Sequence, residues 1–160
     1  MLQTVAFIGA KEANVVLYLD NQPMLERPGE VQVPELIAAN GNHWRKILTI
    51  YAKLCADDNW RHYRDSELLN TDQQICFSDQ RVETARIHMF SGKSCWQRFG
   101  ETAETLSKMQ QSSCGRVHYC YSQDRGLCLY TPYFDYRQFP NVLIEQVKEI
   151  LKQTDNISYE

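Results

Sequence analysis

Two polar loops in the second half of the chain hold the side chains best suited to bind a ligand. The first is Ser91-Gly92-Lys93-Ser94, which follows a predicted strand over residues 86–90. Open α/β sheets bind ligands beyond the carboxyl ends of their strands. A lysine and the backbone N–H groups at the start of a helix favour an anion such as phosphate. We therefore predict that all four residues of this loop contact a ligand.

The second loop, residues 131–141, follows another predicted strand and is rich in rings and charges. Its aromatic side chains could stack on a base, and Arg137 could pair with a phosphate through two hydrogen bonds. The predicted ligand contacts in this loop are Tyr133, Phe134, Asp135 and Arg137. The alternative is that the rings of Phe134, Tyr136 and Phe139 seal the sheet edge against the last helix.

Neither loop holds a complete catalytic set, so we predict no catalytic residue. In the full phosphate-binding pattern G-x-x-x-x-G-K-[ST], a glycine would stand where this chain has Ile87. His118 and Cys120 lie near Cys114 and Cys128, but without the spacing of a zinc site. We predict no metal and no cofactor. The six cysteines are expected to be reduced thiols, mostly buried as small apolar side chains.

Length and charge limit the class of protein. The chain has 160 residues, of which 43% are hydrophobic, enough for one core. Residues 86–152 carry 9 basic and 6 acidic side chains, net +3, against a total of -3 for the whole chain. No run of about 18 apolar residues and no signal-peptide start is present. We expect one cytoplasmic domain over residues 1–153, no membrane partner and a polar, frayed tail over 154–160.

Hydrophobic periodicity predicts alternating strands and helices. Residues 10–13 could turn a hairpin between the first two strands, and residues 21–33 are expected to be a loop. The predicted strands are 4–9, 14–20, 74–78, 86–90, 117–121 and 127–131. The predicted helices are 34–39, 43–57, 60–69, 93–99, 101–111 and one that begins at Asn141. This order indicates a three-layer α/β domain with a mainly parallel sheet and helices on both faces.

The order of elements over residues 86–151 resembles the C-terminal half of the uracil-DNA glycosylase-like fold. In that superfamily a strand leads to a glycine turn and a helix, and a later strand ends in a loop containing His-Pro-Ser or His-Pro-Ala. Residues 86–100 resemble the first part and residues 115–136 the second. Tyr133, Phe134 and Asp135 stand where the family has His, Pro and Ser. Because the family's histidine stabilises charge on the leaving base, its replacement implies a diverged, non-catalytic member.

Three hypotheses on function follow. The first is a non-catalytic module that binds a nucleotide or a single-stranded nucleic acid through the two loops. The second is a homodimer or another partner-binding protein that uses exposed aromatic side chains. The third is a hydrolase of an N-glycosidic or phosphoester bond with Asp20 or Asp135 as base. An uncharacterised bacterial family that shares only an α/β arrangement is the alternative to the glycosylase-like resemblance.

Overall fold

The strands form a single seven-stranded sheet in the order β1-β3-β2-β4-β7-β6-β5. The structure, a computed structural model, describes residues 5–25 and 31–158. The strands are β1 (Phe7–Gly9), β2 (Val15–Tyr18), β3 (Gln73–Cys76), β4 (Ile87–Ser91), β5 (Gln110–Gln111), β6 (His118–Ser122) and β7 (Gly126–Thr131). The helices are α1 (Val33–Asn40), α2 (Asn42–Cys55), α3 (Trp60–Ser66), α4 (Lys93–Arg98), α5 (Ala103–Ser107) and α6 (Asn141–Ser158).

The four central strands are parallel and the outer strands are antiparallel. The parallel pairs are β3–β2, β2–β4 and β4–β7. The antiparallel pairs are β1–β3, β7–β6 and β6–β5. Half of the strand pairs are therefore antiparallel, so the sheet is mixed and not the mainly parallel sheet that the sequence predicted.

Helices cover both faces of the sheet, as expected for the α/β class. Alternate residues of each central strand point to opposite faces. In β2, Val15 and Leu17 pack in one core, with α1, α2, α3 and α6, whereas Val16 and Tyr18 pack in a second core, with α4 and α5. The two cores lie on opposite sides of one sheet, which gives the three predicted layers.

Helix α2 confirms the clearest prediction from periodicity. It spans nearly the predicted residues 43–57, and its apolar side chains, among them Trp44, Ile47 and Leu48, are buried. The buried Tyr51 hydroxyl lies 3.2 Å from the carbonyl of Val15 and 3.0 Å from that of Gln74. These contacts fix α2 against the starts of β2 and β3.

Other local predictions need correction. The predicted hairpin over residues 10–13 is absent, because β3 lies between β1 and β2 and pairs with both. The predicted helix 101–111 is shorter in the structure. A capping box of Thr102 and Thr105 starts α5, which ends at Ser107, and residues 110 and 111 form strand β5 instead. Helix α6 extends through Ser158 and so includes part of the segment 154–160, for which a polar, frayed tail stays a prediction. Residue 4 of the first predicted strand and residues 26–30 of the predicted loop 21–33 lie outside the described residues.

Over residues 5–25 and 31–158, no helix combines the length and the hydropathy that crossing a bilayer requires.

Candidate functional site at the strand ends

The carboxyl ends of β2 and β4 meet where the chain changes sides of the sheet. After β2 the chain enters α1 and α2, which pack on one face, and after β4 it enters α4, which packs on the other. The four parallel strands have the order second, first, third, fourth along the chain. In doubly wound sheets a crevice opens at such a switch point, between the first and third strands. Here those strands are β2 and β4.

A polar bridge spans this switch point. The Ser94 hydroxyl, at the start of α4, donates a hydrogen bond to Oδ2 of Asp20, which follows β2. Arg98 Nε, one helical turn further along α4, donates to Asp20 Oδ1 at 2.9 Å. The two residues share one face of the helix because they are four positions apart. Both oxygens of the Asp20 carboxylate therefore accept hydrogen bonds from α4.

Arg98 extends the bridge to the end of β3. Its Nη1 donates to Asp79 Oδ1 at 2.7 Å and to the carbonyl of Ser78 at 3.0 Å, and its Nη2 lies 3.3 Å from the carbonyl of Leu19. Partial burial opposes the charge of this side chain, but the hydrogen bond with Asp79 and the charge of Asp20 outweigh it and raise the pKa of Arg98. One guanidinium thus holds the ends of β2 and β3 against α4.

Tyr133, after β7, forms the other side of the site. Its hydroxyl lies 2.7 Å from Nε2 of His43, at the start of α2. Its ring lies against Gly92, where an added Cβ would meet the Tyr133 ring at 3.4 Å, and Gly92 has a φ of +90° that favours glycine. Burial raises the pKa of Tyr133 to about 12, and the charges of Asp20 and Asp135 add to this effect. The Tyr133 hydroxyl is therefore protonated at neutral pH and can donate a hydrogen bond to His43.

Part of the second predicted loop also lies near this edge. The Asp135 carboxylate lies 3.5 Å from Nζ of Lys46 and accepts a hydrogen bond from the backbone N–H of Arg137 at 3.3 Å. The side chains of Lys93 and Arg137 are exposed. Tyr136 is 45% exposed, with Lys46 Nζ 5.6 Å from the centre of its ring.

Two of the predicted ligand contacts lie in the interior. Phe134 is fully buried, with its ring centre 6.4 Å from that of Tyr51 and 5.1 Å from that of Phe139. Ser91 is also buried, and its hydroxyl oxygen accepts a hydrogen bond from the backbone N–H of Phe134 at 3.1 Å. These two residues join the loop after β4 to the loop after β7. Their contribution in this structure is to position the loops, and their side chains offer a ligand no surface.

We define the strand-end site by five side chains: Asp20, His43, Ser94, Arg98 and Tyr133. Sequence reasoning selected Ser94 and Tyr133 as ligand contacts and considered Asp20 as a base. It missed Arg98 and His43. The four-residue spacing of Ser94 and Arg98 on a helix was a signal for the first of these. The sequence around His43 holds no comparable signal, since its partner is 90 positions away.

The donor set of the strand-end site suits organic polar groups better than a metal ion. Within the described part of the chain, no group of three or more His, Cys, Asp or Glu side chains is arranged to hold a metal ion. The carboxylate of Asp20 accepts hydrogen bonds, Ser94 can donate or accept one, and the ring of Tyr133 offers an aromatic surface. Lys93, next to Ser94 at the start of α4, adds a positive charge.

The chain was compared with known families, curated proteins and solved structures. No curated protein and no solved structure matches it. Residues 6–152 match a family of unknown function, DUF6942, and this match includes every residue of the strand-end site. The chain therefore belongs to the family of unknown function DUF6942.

Proposed function

We propose that this protein binds a nucleotide at the strand-end site without transforming it. The observation that carries the proposal is the Ser94–Asp20–Arg98 bridge between the carboxyl ends of β2 and β4. Ligands of doubly wound sheets occupy this switch point. The bridge fills it with hydrogen-bonding groups that are partly open to solvent, since the Asp20 side chain is 29% exposed.

Each part of a nucleotide has a matching group at this edge. Asp20 can accept hydrogen bonds from ribose hydroxyls, as an acidic residue does in many dinucleotide sites. The exposed ammonium of Lys93 can pair with a phosphate. The half-buried ring of Tyr133 can stack on a base, and stacking needs no particular base.

Binding is favoured over hydrolysis by the contacts of the carboxylates. Asp20 is ion-paired with Arg98 and Asp135 with Lys46, which holds both carboxylates in place as hydrogen-bond acceptors. Each Asp20 oxygen keeps a second lone pair, which can accept from a ribose hydroxyl. A general base needs an oxygen within reach of the proton that it takes from the substrate. The resemblance to the uracil-DNA glycosylase-like fold remains a proposal that rests on the order of elements. It agrees with binding, since Tyr133 replaces the histidine that stabilises the leaving base in that superfamily.

Isothermal titration calorimetry at low salt tests the proposal. The titrants are adenosine monophosphate, its 2′-deoxy form, guanosine monophosphate and a single-stranded oligodeoxynucleotide. We expect one nucleotide per chain, with the ribose form tighter than the deoxyribose form because Asp20 gains a donor. Tyr133→Ala should weaken binding by about 1–3 kcal/mol, the usual contribution of one aromatic–base stack.

Two matched variants keep the test specific. Tyr133→Phe retains the ring but removes the hydroxyl that contacts His43, so it should bind far better than Tyr133→Ala. Lys93→Ala should weaken binding, whereas Lys108→Ala, which removes an exposed lysine directly after α5, should not. Absence of binding by all four titrants at low salt refutes the proposal. A concentration-dependent dimer that requires Tyr136, seen by light scattering, would then favour the partner-binding hypothesis.

A further inference from the structure

Two cysteines face each other across the hairpin formed by β6 and β7. Cys120 and Cys128 are direct partners in the antiparallel register. Direct partners in antiparallel strands have Cα atoms about 4.5–5.5 Å apart and side chains on the same face. This separation lies within the range of about 4.4–6.8 Å that a disulfide spans. The hairpin can therefore accept an S–S bond without a change in strand pairing.

The two thiols differ in exposure. Cys120 is exposed on the outer strand, whereas Cys128 is only 3% exposed. A reagent in solution can reach the sulfur of Cys120 directly. The buried sulfur of Cys128 faces Cys120, and it can close a disulfide with Cys120 without being exposed to solvent.

The positively charged guanidinium of Arg81 lies next to the buried sulfur of Cys128. Its Nη1 lies 3.4 Å from Cys128 Sγ, and its Nη2 donates to the hydroxyl of Tyr130 at 3.1 Å. The guanidinium is held over the ring of Phe90, 4.8 Å from the ring centre. A hydrogen bond from the Cys120 thiol and the nearby charge of Arg81 lower the pKa of Cys128, and the same sulfur–sulfur hydrogen bond raises the pKa of Cys120. The pair thus favours a single shared proton.

We propose that Cys120 and Cys128 form a reversible dithiol–disulfide site that exchanges with small-molecule disulfides. In the first step the Cys120 thiol passes its proton to the Cys128 thiolate while its sulfur attacks a disulfide RSSR and releases RS⁻. The proton left on Cys128 passes to this RS⁻ and gives RSH. In the second step the Cys128 thiolate attacks the Cys120 sulfur, closes the protein disulfide and releases a second RS⁻. Two protein sulfurs are oxidised, and one RSSR is reduced to RSH and RS⁻.

The other cysteines lack this arrangement. Burial raises the pKa of Cys55 to about 12 and that of Cys95 to about 11, which keeps both thiols protonated and unreactive. Cys76 is buried, with its sulfur near Ser78. Cys114 is exposed, and its sulfur lies 3.6 Å from the hydroxyl of Ser112. Cys114 therefore serves as an internal reference for simple accessibility.

Peptide mapping after treatment with oxidised glutathione tests the proposal. Trypsin cleaves after Arg116, Arg125 and Arg137, so Cys120 and Cys128 fall on separate peptides, 117–125 and 126–137. Remaining thiols are alkylated before digestion without reductant. We expect these two peptides to become joined, and dithiothreitol to separate them again. Cys128→Ser should stop the reaction at a glutathione adduct on Cys120, and Cys114→Ser should leave the joined product unchanged.

The contribution of Arg81 is tested by the rate. Arg81→Gln should form the joined product about tenfold more slowly at about pH 6, because a thiolate fraction falls tenfold when its pKa rises by about one. Arg81→Lys should recover part of the rate, and circular dichroism shows whether each variant is folded. The proposal is overturned if wild-type Cys120 accumulates only a stable glutathione adduct, which is the result expected of Cys114. The proposal is also overturned if Cys120 remains unmodified. An unchanged rate in folded Arg81→Gln would show that Arg81 does not contribute to the reaction.

Discussion

Arg98 joins more separate segments at the strand-end site than its neighbours do. Its guanidinium donates to Asp20 after β2, to Asp79 after β3, and to backbone carbonyls at both strand ends. Removing it leaves the Asp20 carboxylate and partly buried carbonyls with fewer donors. Arg98→Ala should therefore lower the free energy of unfolding by about 2 kcal/mol, the scale of a hydrogen bond to a charged group. Urea denaturation measures the difference.

Arg137→Ala is the matched control for this prediction. Arg137 is also an arginine near the same edge, but its side chain is exposed, so its loss should change stability by less than about 0.5 kcal/mol. Arg98→Lys should fall between the two, because a lysine keeps the charge but cannot make the forked contacts. Equal stabilities of Arg98→Ala and Arg137→Ala would show that the bridge contributes nothing measurable.

Single residues of the site could be predicted from the sequence only where they lie close to the end of a predicted strand. Ser94 and Tyr133 lie within three residues of the ends of β4 and β7, and the rule on carboxyl ends of strands selects them without knowledge of the fold. Phe134 follows the same strand but is buried, because the loop after β7 turns its ring towards Tyr51. Local sequence does not determine which ring of an aromatic loop faces the core. That choice depends on α2, which lies more than 75 residues earlier in the chain.

At the scale of elements, the β6–β7 hairpin depends on one glycine next to β4. Gly126 has a φ of +78°, and a Cβ there would lie 2.2 Å from the carbonyl oxygen of Arg86. Leu127 N donates to that same carbonyl at 2.9 Å, so the hairpin cannot move away without losing this bond. Gly126→Ala should therefore destabilise the fold by at least about 3 kcal/mol, more than the 1–2 kcal/mol of a left-handed alanine alone.

Gly100→Ala separates the two causes of this loss. Gly100 has a φ of +87°, but an added Cβ would meet no atom within 4 Å. Its substitution should cost only the backbone term, about 1–2 kcal/mol. Thermal unfolding of both variants gives the comparison, and a loss at Gly126 no greater than that at Gly100 would mean that β4 and β7 separate easily at this end.

Elements with a local signal were predicted, and pairings between distant segments were not. Helix α2 has its signal in the spacing of its own apolar residues. Strand β5 consists of two exposed glutamines, whose only strand character comes from pairing with β6. The predicted hairpin between β1 and β2 was wrong because the pairing of these strands also depends on a distant segment. Strand β3, from more than 50 residues later in the chain, enters between them and supplies pairs that no local turn shows.

At the scale of the whole molecule, the second core is built around rings that cross the middle of the sheet. Tyr18, Phe90 and Tyr130 come from three adjacent parallel strands and stack with ring centres 4.5 and 4.7 Å apart. His88 shares this face, and its ring is stacked 5.7 Å from that of Tyr18. A titratable group in the central strands couples the stability of the entire domain to pH, because strand β4 cannot open alone.

His88 is held in the neutral form. It is 2% exposed, its Nε2 lies 3.0 Å from the carbonyl of Ala85, and its Nδ1 lies 2.7 Å from the Tyr18 hydroxyl. These contacts fit a tautomer in which Nε2–H donates to Ala85 and Nδ1 accepts from Tyr18. Burial lowers the pKa of His88 from 6.5 to about 4, and the charge of Arg81 acts in the same direction. Protonation therefore opposes the folded state.

The sign of the pH dependence follows from this lowered pKa. Between about pH 6.5 and pH 4 the unfolded chain binds a proton at His88 that the folded chain does not, so stability falls as pH falls through this range. The loss from this residue should reach about 3 kcal/mol at pH 4. In His88→Gln the fall should be smaller by that amount, although the variant is less stable at pH 7. Urea unfolding at several pH values measures both profiles, with exposed His62→Gln as a control that follows the wild type. Parallel profiles of wild type and His88→Gln would show that the proton enters the folded domain without opposition, and that His88 does not link the sheet to pH.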